Sequence, residues 1–221
     1  MGDMPEVQFT RSGEIDLAYQ VMGEGPLNIV LMIGWVSHLE VLWELAEARH
    51  FIERFTRMGR VVLFDKRGTG LSDRPAESSG IDQLVPDVLA VMDAAGMPTA
   101  AIVGWADAAA LAVSVAAAHP DRATALVLGE MPATATADAG HPPAPNPKLI
   151  SKLSDAIHNG GWGQRILMPL LAPSAANDER IATWFRKLER TSATPSMAAE
   201  LMPRTLSVDL RPILADIVAP P

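Results

Sequence analysis

The first 130 residues alternate two kinds of apolar pattern. Residues 7–10 and 15–22 carry aromatic, aliphatic and polar positions in alternation on either side of Arg11-Ser12-Gly13-Glu14, which predicts a hairpin. LNIVLMI, residues 27–33, is a near-continuous apolar run between Pro26 and Gly34, the pattern of a strand buried on both faces. Residues 60–64, 100–103 and 123–128 repeat that pattern in shorter form. Helical spacings lie between these runs: residues 42–58, closed by Gly59; residues 81–95, with Leu84, Val88, Val91 and Met92 on one face, closed by Gly96; and an Ala-rich stretch, 106–119, stopped by Pro120. Strand–helix–strand alternation with apolar strands predicts an α/β fold, a mostly parallel sheet of about six strands with helices on both faces.

The pattern changes after Glu130. Residues 131–147 hold five prolines and read as a loop. Residues 149–158, 164–170, 178–190 and 196–201 are amphipathic at helical spacing with no strand signal, which predicts a helical lid over the sheet. Residues 209–217 read as a last short helix. The expected organisation is a core over 1–130, a lid insertion over 131–207 and the start of a C-terminal core segment over 208–221.

Composition narrows the function classes. With 26 Asp and Glu against 18 Lys and Arg the net charge is −8, which argues against a nucleic-acid binder, because phosphate neutralisation needs a basic face. There is no Cys, so disulfides, thiolate metal sites and Cys nucleophiles are excluded. The N-terminal residues carry neither a basic stretch nor an apolar run, and the most apolar segment, 98–118, is mostly Ala and interrupted by Asp107. Neither a signal peptide nor a membrane span is expected, and the default is a cytoplasmic protein. No cofactor motif and no metal-ligand set is found.

Candidate chemistry lies at three strand ends. FDKRGTGLSD, residues 64–73, has neither the GxGxxG nor the GxxxxGK[ST] spacing, and reads as a tight loop tied down by Asp65 and Arg67. Gly34 and Trp35 end the central strand, where a backbone N–H can point into the crevice at the carboxyl edge of a parallel sheet. His38 follows closely as a weak candidate catalyst. Val103-Gly104-Trp105-Ala106-Asp107-Ala108 sits on a strand–turn–helix junction, where a Gly-x-Ser-x-Gly nucleophile elbow would lie. Its nucleophile slot is Ala106, which carries no nucleophilic atom. Asp107 next to it could act only if the register slipped by one, and otherwise favours the helix N-terminus by its charge.

AYQV with GEGP (residues 18–21 and 23–26), GWVSHLE (34–40), FDKRGTGLSD and DVLAVMDAAG (87–96) together resemble the α/β-hydrolase-fold family. More narrowly they are similar to the actinobacterial hydrolase-like domains found fused to adenylate cyclases and regulators. The resemblance implies a mostly parallel sheet with a helical cap, hydrolysis by Ser, His and an acid, and an oxyanion hole built from the backbone N–H groups of Trp35 and Asp107. The chain departs from this pattern where it matters. The elbow Ser is Ala106, and residue 221 precedes the strands that would carry the acid and the His; His119, His141 and His158 lie before that segment and do not carry over as the base.

Three functions stay open: a catalytically deficient, pseudoenzyme-like protein keeping a lidded apolar pocket for a ligand or partner; a hydrolase, esterase-like or using Asp107 as in haloalkane dehalogenases, acting on a small apolar ester or similar substrate; and a subunit whose missing strands come from another chain. A pocket is expected at the carboxyl ends of the strands, with Gly34, Trp35, His38, Trp105 and Ala106 in its walls and Trp162 and Trp184 above. ATALVL, residues 123–128, has no Lys, Pro or Gly to blunt an open edge running from Ala123 to Leu128. That edge is expected to be covered by a second copy, by a partner chain or by the C-terminal segment.

Overall fold

The computed structural model describes residues 4–75, 80–130, 132–134, 147–205 and 208–220. His141 lies outside them. Six strands form one sheet: β1 (Gln8–Ser12), β2 (Ile15–Met22), β3 (Leu27–Met32), β4 (Gly59–Phe64), β5 (Ala100–Trp105) and β6 (Ala123–Gly129), in the order β1-β2-β4-β3-β5-β6. The hairpin β1–β2 is antiparallel and β2 joins β4 antiparallel, while β4, β3, β5 and β6 are parallel to one another. This is the mostly parallel sheet with helices that the apolar runs predict.

The continuous apolar runs follow from burial on both faces. Along β3, Val30 and Met32 point to a cluster with Val62, Phe64, Ile102 and the helices α3 (Ile81–Ala94) and α4 (Asp107–Ala118). Ile29 and Leu31 point the other way, to Val61, Leu63, Val103, Leu39, Leu42 and Ile52. Successive side chains alternate across a strand, so each face needs its own apolar set and the polar positions vanish. Gly104 lets α4 pack closely on β5: a Cβ there would lie 2.4 Å from the Ala108 carbonyl oxygen.

Three helical expectations are corrected. The single helix over 42–58 is two: α1 (Leu39–Leu42) and α2 (Ala46–Thr56). Leu45 between them is buried in an extended conformation, and the Trp43 indole N–H donates to the buried Gln20 side chain, so tertiary packing overrides the local pattern. The stretch 164–170 is turns up to α6 (Met168–Leu171), with Arg165 at φ 57 breaking any continuous helix. The C-terminal helix is a 3₁₀ segment, Arg211–Asp216.

The remaining helices are α5 (Pro147–Ala156), α7 (Glu179–Ser192) and α8 (Pro195–Thr205). They hold together around Ile157, Trp162, Leu167, Ala198 and Met202. The buried Glu189 accepts from the Arg165 backbone N–H at 3.0 Å, and burial pushes its carboxyl up. The segment lies on the loops at the carboxyl ends of the strands. The Trp184 indole N–H donates to Val41 at 2.8 Å, the Gly70 N–H donates to Ser192 at 2.7 Å, and Met197 packs against Gly68. Two exposed ion pairs, Lys187–Glu44 and Arg180–Glu47, add to the attachment.

On the β6 edge, the Leu126 N–H donates to the Pro220 carbonyl at 2.9 Å, so the C-terminal segment reaches the outer side of the strand. Val127 and Leu128 nevertheless stay 45% and 47% exposed.

The Arg180 hydrogen bonds hold the Glu47 carboxyl down at about 2, so the pair's contribution is complete above the ordinary carboxylate range and is lost as pH falls toward about 2. The gap in thermal midpoint between wild type and Arg180→Ala should therefore shrink across that acid window, and should shrink with added salt because both partners are solvent-exposed. A gap that ignores both acid and salt would refute the attachment.

Candidate active site at the carboxyl ends of the central strands

Three loops converge where β3, β4 and β5 end. After β3 the chain turns through Ile33, Gly34 and Trp35, with Trp35 at φ 43. Gly34 is there because nothing larger fits: a Cβ would lie 2.5 Å from the Trp105 carbonyl oxygen and 2.9 Å from the Ala106 Cβ. After β4, Asp65 is fully buried. It accepts from the Ser37 hydroxyl at 2.7 Å, from the Leu71 N–H at 2.9 Å and from the Leu39 N–H at 3.2 Å. Burial pushes its carboxyl up, and these donors, with the nearby His38, work in the opposite direction. Gly70 closes the loop at φ 54, where a Cβ would overlap the Asp65 carboxylate at 2.0 Å. Arg67 makes a two-pronged contact with the buried Asp87 of α3, its Nε at 2.6 Å. Asp65 and Arg67 thus tie the loop down.

After β5 the chain makes a sharp turn. Ala106 sits at φ 52, ψ −124, and α4 starts at the next residue. Its N–H donates to Gly129 at the end of β6, and its carbonyl accepts from Ala109, both at 3.0 Å. A left-handed conformation in a residue with a Cβ costs on the order of 1–3 kcal/mol and persists only where the surroundings impose it. This is the strand–turn–helix geometry of a nucleophile elbow, with a methyl group in the nucleophile's place.

Asp107 follows and does more than charge the helix end. Its Oδ1 accepts from the Trp35 backbone N–H. Its Oδ2 accepts from the Lys66 ammonium at 2.7 Å, and that lysine side chain is only 8% exposed. One carboxylate therefore links all three loops. A cavity of about 30 Å³ lies beside it, lined by Trp35, Lys66, Thr69, Asp107, Met197 and Leu201 among others. That volume suits one or two waters.

The other expected wall residues are placed as follows. Trp105 turns its ring onto Phe51, at 5.6 Å between centroids, and covers Gly129. Trp162 meets Trp35 edge to face at 5.4 Å, and its indole N–H donates to Ala193. Trp184 docks on α1. His38 is buried at the start of α1, and its Nδ1 has no partner among the described residues. His119 ends α4, and His158 is exposed in the π-helical turn Ile157–Gly161. Sequence reasoning missed Lys66. Its position two residues beyond the end of a parallel strand was the available signal, since such positions share one sheet edge.

No family model matches the chain. The chain is 29% identical over 126 residues to RutD of Azorhizobium caulinodans, named as a carbamate hydrolase, which is 54% of this chain and 43% of that protein. It spans under half the length of the RutD relatives it matches. Among solved structures it superimposes on a bromoperoxidase from Bacillus anthracis with a TM-score of 0.83 at 17% identity, covering 97% of this chain and 79% of that one. It also superimposes on the enol-lactonase from Burkholderia xenovorans LB400 with a TM-score of 0.76 at 21% identity, covering 96% and 78%. The chain has the α/β-hydrolase fold.

Ala106→Gly should raise stability by about 1 kcal/mol, since glycine adopts the elbow conformation without strain. Asp65→Ala should lower it by about 3 kcal/mol or more, because three buried donors lose their acceptor. Urea denaturation reads both. A destabilised Ala106→Gly would mean the elbow is not strained.

Proposed function

We propose that this chain is an α/β-hydrolase-fold protein that performs no serine-type acyl transfer and uses the site under its helical segment to hold a small ligand. The observation that supports this most is Ala106, in the elbow conformation with no atom able to attack a carbonyl. Loss of the nucleophilic Ser costs a serine protease about 10⁶-fold in rate. The Trp35 N–H, the oxyanion-type donor, is already engaged by Asp107. Asp107 itself is poorly placed as a nucleophile, because both its oxygens are bound.

A second reading keeps hydrolysis: an enzyme acting on a small apolar ester or related substrate, with its remaining groups supplied by another chain at the β6 edge. The names carried by its relatives and the preserved elbow geometry favour it. The expected ligand under either reading is small, and the apolar Trp35, Met197 and Leu201 suit an apolar body.

Two measurements test the first reading. The purified protein should leave a panel of p-nitrophenyl esters unhydrolysed above background, and a fluorophosphonate probe should label no serine. Ser37 and Ser114 are buried, one bonded to Asp65 and the other to the Ala110 carbonyl, so neither is an available nucleophile. Turnover of any ester, or stoichiometric labelling, would overturn the first reading.

A further inference from the structure

The contacts of Asp107 have the form of a bound ligand. One oxygen takes a backbone N–H at the position of an oxyanion donor, and the other takes a buried ammonium. These are the partners a free carboxylate would seek, a charge-assisted pair plus a directed N–H. The carboxylate arrives from the elbow's own helix, so its local concentration far exceeds that of any solute. The Lys66 ammonium has no other hydrogen bond or ion pair within the described residues. Its charge is buried, and a buried ammonium without a counter-charge is costly.

We propose that the Trp35 N–H and the Lys66 ammonium form a carboxylate-binding site, that Asp107 is its built-in occupant, and that cutting Asp107 back opens the site to a small free monocarboxylate. Formate is the matching probe, because Asp107→Ala removes a carboxylate group and leaves the methyl. The adjoining cavity of about 30 Å³ gives slightly larger carboxylates such as acetate some room. In the native protein the Asp107 carboxylate fills this one position, so the donor at Trp35 is withheld from any substrate carbonyl and a native ligand is left the adjoining cavity. This deepens the reading of the site given above, but its geometry holds whether or not the protein hydrolyses anything.

The test is chemical rescue of Asp107→Ala, read as thermal midpoint against sodium formate, with sodium chloride at equal ionic strength as the control. Asp107→Ala should melt several degrees below wild type. Formate should raise its midpoint by about 2–4 °C more than chloride does, the shift expected of a ligand at a few times its Kd. Wild type should show no such difference, and neither should the double variant Asp107→Ala/Lys66→Met, which lacks the ammonium. Equal responses to formate and chloride, or rescue that survives loss of Lys66, would overturn the site.

Should Asp107→Ala fail to fold, Asp107→Asn and Lys66→Met complete a double-mutant cycle at nearly constant volume. A coupling of at least about tenfold in the unfolding constant is expected for a buried charge pair. Additive effects would refute the pairing. Ester turnover by wild type would overturn the proposed function and leave this site standing; absent rescue would do the reverse.

Discussion

A carboxylate with no exposed surface has to be surrounded by donors, and Asp65 is surrounded by those of two different loops. Ser37 and Leu39 belong to the chain leaving β3, and Leu71 to the chain leaving β4. The backbone carbonyl of Asp65 takes the Ser72 hydroxyl, and that oxygen in turn accepts the Ala18 N–H of β2. The carboxyl ends of β3 and β4 and the adjoining amino-terminal half of the antiparallel β2 are thereby fixed relative to one another. Without that frame, Lys66 and Trp35 would have no defined distance from Asp107. The desolvation that burial imposes on Asp65 is the cost of the arrangement, and the three hydrogen bonds offset it.

The elbow shows that a strained conformation can outlive the atom it usually serves. Ala106 gains nothing chemical from φ 52; the turn is imposed by β5 and α4 packing across Gly104 and by the Ala106 N–H bond to Gly129. Trp35, at φ 43, faces it across Gly34. Two residues in the left-handed region on opposite sides of a glycine make a rigid gap, and Asp107 reaches across it. Rigidity of this kind aids catalysis when a nucleophile is present and ligand binding when one is not. The backbone alone is therefore compatible with both functional readings, and only the side chains at 106 and 107 separate them.

The sheet was legible because burial on both faces removes ambiguity from a strand. LNIVLMI can hardly be anything else between Pro26 and Gly34, and the helix closed by Gly96 behaves likewise. The break between α1 and α2 was not legible, because it depends on Trp43 reaching Gln20 across the sheet, and no local pattern encodes a partner that lies 23 residues away. In the site, Gly34, Trp35, Ala106 and Asp107 could be found because elbow and strand-end positions follow from topology. The orientation of a tryptophan does not. Trp105 lies one residue before the elbow yet spends its ring on Phe51, because the alternation of β5 sends it to the opposite face from Gly104. Lys66 escaped notice since a charge beside a turn usually means solvent, and here it means a buried ion pair.

The small volume beside Asp107 is set by the helical segment more than by the sheet. Met197 and Leu201 of α8 close it from above, and Met is the apolar side chain that adapts most readily to a new shape. The segment is attached to the core by a half-buried indole bond, the Gly70–Ser192 backbone bond, two solvent-exposed ion pairs and the packing of Trp35 and Val36 into its apolar cluster. Exposed pairs contribute little, about 0–1 kcal/mol each. The wall made by α8 can adapt through the rotamers of Met197 and Leu201, whereas the wall made by Trp35, Lys66 and Asp107 cannot, because each of its members is held by a polar contact or by a strained backbone. A ligand entering here would meet a compliant apolar side and a fixed polar side. The fixed side decides which chemical class is accepted, and the compliant side decides how large an apolar body can follow.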